Sequence, residues 1–308
     1  MKQCHKLLLS TLLSAAAALS STSHGEEVTR LQKGDFTIAL DPQHGGRVTE
    51  MRLADTDLLA LENRHPNNFG STFWLSPQSL WNWPPVAEHD SAPYQVRKSG
   101  EHFLHLESTA GAGTRIAKAV TLEGEGEGEG RARLDYRILA EQPFREIAAW
   151  EITRVANRGL AFAPVNTETV ATVRGQMDYE LDSGGTLWLP MSGSEVLTEG
   201  KVIANGSEGW LAYAVDGLLY LKVYPQVAAE KMATGEGDIE LYLSGEKPYL
   251  ELEVQSAAQA LAAGDSLDWT VTWLLLPIPA TVDIAPGSAS LLAFARRQVA
   301  RLPAVEPH

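Results

Sequence analysis

The chain has 308 residues, of which 25 are basic and 39 acidic, for a formal net charge of −14. A charge of that sign repels nucleic acid and anionic lipid, and a chain of this length buries enough core to fold without covalent staples. The single cysteine, Cys4, rules out a disulfide framework and a zinc–thiolate site.

Lys2, His5 and Lys6 open the sequence. Leu7 to Leu19 follow as an apolar run, and small residues lead to Ser23-His24-Gly25 before Glu26-Glu27. That order predicts a secretory signal peptide over residues 1–25, with an apolar run too short to span a bilayer comfortably. A buried N-terminal helix would account for the apolar run, but not for the basic head and the small-residue exit. The expectation is a periplasmic or secreted protein whose mature part starts near Glu26 and lacks cysteine. Cys4 precedes the apolar run, so it does not occupy a lipid-bearing position after it. No later apolar run is long enough to span a membrane.

Beyond residue 27, short alternating runs are separated by Gly, Pro, Asn and Asp, which is the pattern of strands and turns. Strands are expected at 35–40, 47–53, 103–106, 114–122, 131–139, 146–155, 209–215, 217–224, 238–243, 249–255 and 268–276. Few helical periods interrupt them, so the fold class is all-β: one large antiparallel β-sandwich spanning residues 26–308 as a single domain. One helix is expected at 288–301. Ser288 caps it, and Leu291, Leu292, Ala295 and Val299 form its apolar stripe.

Within this frame, residues 63–94 stand out. Trp74, Trp81 and Trp83 fall within ten positions of a proline-rich stretch without strand alternation, which predicts a long ordered loop. Flat apolar rings beside hydrogen-bonding groups suit a sugar, whose C–H faces stack on aromatics. The same rings could instead close one end of the sandwich as core. The repeat of Glu and Gly at 123–130 reads as a solvated hairpin tip rather than a calcium loop, because its glycines deny rigid ligand geometry. No metal site or cofactor is expected. His102 and His105, three apart in a strand-like run, point to opposite faces.

Tyr249-Leu-Glu-Leu-Glu-Val254 puts Tyr249, Glu251 and Glu253 on one face of a strand and Leu250, Leu252 and Val254 on the other. Paired carboxylates there supply a general base or orient hydroxyls, unless the face is merely solvated. Trp150-Glu-Ile-Thr-Arg154 sets Glu151 and Thr153 opposite Trp150, Ile152 and Arg154. Charged residues inside apolar strands, Glu151 and Lys222 among them, mark either a wet face or a lined cleft. The candidate binding set is therefore Trp74, Trp81, Trp83, Arg47, Glu151 and Lys222, and the candidate catalytic set is Glu251 and Glu253. Phosphate-loop, His-Glu-x-x-His and Gly-x-Ser-x-Gly motifs are missing.

Taken in order, Gly45-Gly46-Arg47-Val48, the 74–85 stretch, Trp150 to Arg154, Gly209 to Tyr213, Tyr249 to Glu253 and Leu261 to Leu267 resemble the galactose mutarotase-like superfamily. Together they look like a secreted bacterial branch of it without an assigned activity. The resemblance implies a supersandwich and places the general base of a sugar-1-epimerase on Glu251 or Glu253. It also implies a mid-chain histidine as acid, and here none lies between Leu106 and Pro307. The leading expectation is thus a carbohydrate-binding protein whose partner is a sugar or oligosaccharide. An aldose 1-epimerase is the alternative, and a protein-partner-binding domain comes third.

Overall fold

The computed structural model describes residues 28–59, 67–124, 128–194 and 198–303. The signal peptide expected over 1–25 lies outside these residues, as do the middle of the Glu/Gly repeat and His65.

In chain order the strands are β1 (Thr29–Lys33), β2 (Phe36–Asp41), β3 (Arg47–Leu53), β4 (Thr56–Asp57) and β5 (Ser71–Ser76), then a short helix α1 (Ala87–Asp90). Next come β6 (Gln95–Gly100), β7 (Phe103–Glu107), β8 (Thr114–Glu123), β9 (Gly130–Ala140), β10 (Phe144–Ala156) and β11 (Arg158–Gly175). They continue as β12 (Glu180–Leu181), β13 (Thr186–Ser192), β14 (Gly200–Gly206), β15 (Trp210–Val215) and β16 (Leu218–Val223). The chain ends with β17 (Ile239–Leu243), β18 (Tyr249–Gln255), β19 (Gln259–Leu261), β20 (Ser266–Pro277) and the helix α2 (Ala289–Val299).

The ladders pair antiparallel in two layers. One runs β1-β2-β3-β5-β10-β18-β17-β14-β11. The other runs β6-β7-β8-β9-β20-β16-β15-β11-β13-β12. Strand β11 belongs to both: residues 158–164 pair with β13 in the second layer, and residues 165–175 pair with β14 in the first.

Period-two alternation builds the space between the layers. In β8, Thr114, Ile116, Lys118, Val120 and Leu122 are buried and their neighbours half-buried, because successive side chains point to opposite faces. Leu250, Leu252 and Val254 of β18 enter the same core from the first layer. Phe73 and Tyr136 stack across the gap with centroids 4.3 Å apart, an aromatic contact worth about 1 kcal/mol beyond its burial.

Helix α2 covers the outer face of the second layer. Ser288 Oγ accepts the Leu291 N–H at 3.2 Å, the cap expected there. Leu291, Phe294 and Ala295 bury against Phe162, Trp188, Trp210 and Leu221. No helix among the described residues is long and apolar enough to cross a membrane.

The expected loop at 63–94 requires a correction. Trp74 lies on β5, a central strand of the first layer between β3 and β10. All six residues of β5 are buried, so its sequence shows no alternation between apolar and polar. The described residues of the stretch on either side of β5 are irregular apart from short helical turns at Gln78–Leu80 and Ala87–Asp90.

Candidate functional site

The outer face of the first layer carries the candidate site. Register, rather than sequence proximity, assembles it. On β10, Trp150, Ile152 and Arg154 stand opposite Gln255, Glu253 and Glu251 of β18. On β17, Glu240 and Tyr242 stand opposite Glu253 and Glu251, and Lys201 of β14 faces Tyr242. Trp74 of β5 faces Trp150. The resulting cleft has a volume of about 830 Å³, within the range of small-ligand sites. Glu251, Glu253, Trp74, Trp83, Lys201 and Tyr249 are among its lining residues.

The two carboxylates on its floor are buried and held. Glu251 Oε1 accepts the Arg154 Nε–H at 2.7 Å, and Arg154 Nη1 donates to Thr72 Oγ1 at 3.1 Å. Burial pushes the Glu251 carboxyl up, with Arg154 pulling against it and the neighbouring Glu253 reinforcing it. Glu253 Oε2 accepts from Trp150 Nε1 at 2.9 Å and from Lys201 Nζ at 3.2 Å. Lys201 also contacts Glu240 of the adjacent strand. Burial works against charge on Lys201, but Glu253 and Glu240 outweigh it and hold the ammonium well above its ordinary range. Burial drives the Glu240 carboxyl far up, against the pull of Lys201.

The aromatic wall is graded in exposure. Trp74, Trp150 and Ile152 form a small buried cluster, with Trp81 packed on it. Trp74 meets Trp150 and Trp81 edge-on at 5.6 Å each, and Trp83 at 6.2 Å. Trp81 donates its indole N–H to Leu75 O at 2.8 Å and does not line the cleft. It borders a neighbouring hollow with Leu75 and Phe144. Trp83 lies at the rim with 61% of its surface exposed. The Arg154 guanidinium sits over Trp74 and the Lys201 ammonium over Trp150.

Besides Trp81, three sequence-nominated residues lie away from the cleft. Arg47 is buried and reaches the Asp90 carboxylate at 3.3 Å and Asn67 O at 2.7 Å. Asp90 Oδ1 in turn accepts the Trp74 indole N–H at 2.8 Å, so Arg47 supports the wall from behind. Its approach needs the preceding turn: Gly45 and Gly46 have φ of +67° and +55°, and a Cβ at Gly45 would fall 2.0 Å from Asp90 O. Glu151 and Lys222 face the opposite way, into the core between the layers, and neither has exposed surface. Their charged groups lie 3.3 Å apart. Burial raises the Glu151 carboxyl and lowers the Lys222 amine.

Sequence reading overlooked Arg154, Lys201 and Tyr242 as site residues. For Arg154 the signal was present, since it shares a strand face with Trp150 and Ile152, four and two residues before it. Lys201 and Tyr242 reach the cleft only through strand pairings between segments far apart in sequence.

No histidine among the described residues lines the cleft. His89 is buried beside Thr114, 3.2 Å from its hydroxyl, and burial lowers it to about 4, with Lys118 adding to the shift. His105 belongs to β7 in the other layer. The cleft face of β10 carries Trp150, Ile152 and Arg154 and no imidazole. Among the described residues no group of three or more His, Cys, Asp or Glu could hold a metal ion.

No curated protein matches the chain. Solved structures share its fold, among them the following three. A candidate aldose 1-epimerase from Escherichia coli K12 superposes with a TM-score of 0.56 at 10% identity, covering 82% of this chain and 99% of that one. The Slr1438 protein from Synechocystis sp. PCC 6803 gives 0.55 at 14% identity, covering 85% and 100%. A candidate mutarotase, YeaD, from Salmonella typhimurium gives 0.50 at 10% identity, covering 81% and 94%. At such identities the likeness concerns architecture alone, and that architecture is the galactose mutarotase-like β-sandwich expected from the motif order. Residues 27–276 match the family described as a domain of unknown function, DUF4380, and the chain is a member of that family.

Proposed function

We propose that the protein binds a sugar or oligosaccharide in this cleft and does so outside the cytoplasm, after residues 1–25 are removed. The observation that carries the reading is the meeting of an exposed indole, Trp83, with the buried carboxylates of Glu251 and Glu253 in one cleft. An aromatic face takes the C–H side of a pyranose while acceptor oxygens take its hydroxyls. Turnover is disfavoured by the same geometry. Glu251 is engaged by Arg154, and Glu253 through Oε2 by Trp150 and Lys201, so each carboxylate already faces a cation. Arg154 does not release a proton near neutral pH, so it cannot protonate a ring oxygen.

One observation favours an aldose 1-epimerase instead: burial raises Glu251, which brings a carboxyl closer to the working range of an acid–base catalyst. Thermal-shift screening of the mature protein against mono- and oligosaccharides, followed by polarimetry on freshly dissolved aldoses, separates the two. Binding raises the melting temperature, and the binding reading expects this with no accelerated mutarotation. Acceleration abolished by Glu251→Gln or Glu253→Gln would establish the enzyme. No shift with any sugar would leave a protein-partner role ahead.

A further inference from the structure

The charges around the cleft floor are unequal in number, and each lysine or arginine already faces a carboxylate, although Arg154 Nη2 is buried without an acceptor among the described residues. Arg154 is bound to Glu251. Arg174, at the rim, is bound to Glu199 at 3.2 Å, and Glu199 also accepts from Tyr242 at 2.9 Å. Lys201 alone serves two buried carboxylates, Glu240 and Glu253. Glu246 adds a further exposed carboxylate to the lining. Glu253 itself has 1% of its surface exposed, and its Oε1 is buried with no hydrogen-bond partner among the described residues. A buried carboxylate oxygen without a donor is costly, and Lys201 has to divide its one ammonium between Glu253 and Glu240.

Building on the carbohydrate reading above, we propose that the preferred ligand is a sugar bearing a free basic amine, whose ammonium completes the Glu253 site, and that sugars bearing carboxylate or phosphate are rejected. A ligand ammonium supplies a donor for Oε1 and a positive charge beside Glu246, Glu251 and Glu253. A neutral hydroxyl supplies only the donor. An anionic group meets Glu246, Glu251 and Glu253 with no uncommitted cation among the described lining residues. The aromatic wall adds to the selection. The faces of Trp74 and Trp150 are already occupied by Arg154 and Lys201, whereas Trp83 is exposed at the rim and can stack on a ring or an ammonium.

Calorimetric titration with matched trisaccharides of glucosamine, N-acetylglucosamine, glucose and galacturonic acid tests this at low salt and pH 6. The expected order is glucosamine tightest, by about tenfold over the acetylated and neutral sugars, with no detectable binding of the galacturonide. Raising the ionic strength should shrink the glucosamine advantage while leaving the neutral sugars unchanged. Glu253→Gln should bring glucosamine down to the neutral level. If that variant fails to fold, the salt dependence of the wild-type protein decides the matter alone. Neutral sugars binding as tightly as glucosamine, or the galacturonide binding at all tightly, would overturn the amine preference and leave the carbohydrate reading standing. No binding in any series would overturn both.

Discussion

Arg154 stands directly opposite Glu251 on the neighbouring strand, its Nε 2.7 Å from the carboxylate and its side chain without exposed surface. This pair sits beneath the cleft and ties β10 to β18 through side chains as well as backbone. Removing one member of such a pair leaves the other as an uncompensated buried charge. Arg154→Met is therefore expected to lower stability by about 3–5 kcal/mol, measured by urea unfolding with the slope unchanged.

The Glu151–Lys222 pair gives a similar energy with a different functional signature. It lies between the layers, away from the cleft lining. Lys222→Met alone should cost about 3–5 kcal/mol, while Glu151→Leu combined with Lys222→Met should recover much of that loss, because the buried charge disappears with its partner. Ligand affinity of the folded double variant should equal that of the wild-type protein by calorimetry. A weakened affinity would show that the pair reaches the ligand after all.

The tryptophans should separate by role. Trp74 is 6% exposed and Trp83 is 61% exposed. Trp74→Ala is expected to destabilise by about 3–5 kcal/mol through the cavity it leaves. Trp83→Ala should stay within roughly 0.5 kcal/mol of wild type, as surface changes do, yet weaken sugar binding several-fold. Paired unfolding and binding measurements check both.

His89 gives a pH dependence of defined sign. Burial lowers it from 6.5 to about 4. Above pH 6.5 the ring is neutral in both folded and unfolded chains. As the pH falls below 6.5 the unfolded chain takes up the proton first, so stability is lost progressively until about pH 4, by on the order of 3 kcal/mol. His89→Gln removes this component. Comparing the two proteins at pH 7 and pH 4.5 should show the smaller acid loss in the variant, with contributions from Asp238 and other groups common to both.

Strands such as β8 and β18 were legible because one face of each alternates with a face of different polarity. Strand β5 was not. Phe73 and Leu75 enter the core while Thr72, Trp74 and Ser76 lie under other side chains, so both faces are covered and the periodic signal vanishes. Strand β11 failed differently: residues 160–165 are buried without a break and the later residues are mostly exposed, so neither half alternates. The carboxylates of the cleft were visible as Tyr249, Glu251 and Glu253 on one face. Their counter-ions were not, because Lys201 and Tyr242 are set beside them by register, and register depends on pairings that no local window contains.

Strand β11 has one further consequence. The segment that contributes Phe162 to the helix-covered face continues, without an intervening loop, to Arg174 at the rim of the cleft. A beam shared by both walls leaves no hinge at that edge about which one wall could swing. The sandwich should thus melt as a single cooperative unit, and slow amide exchange in β15 and in β14 should be lost together as denaturant rises.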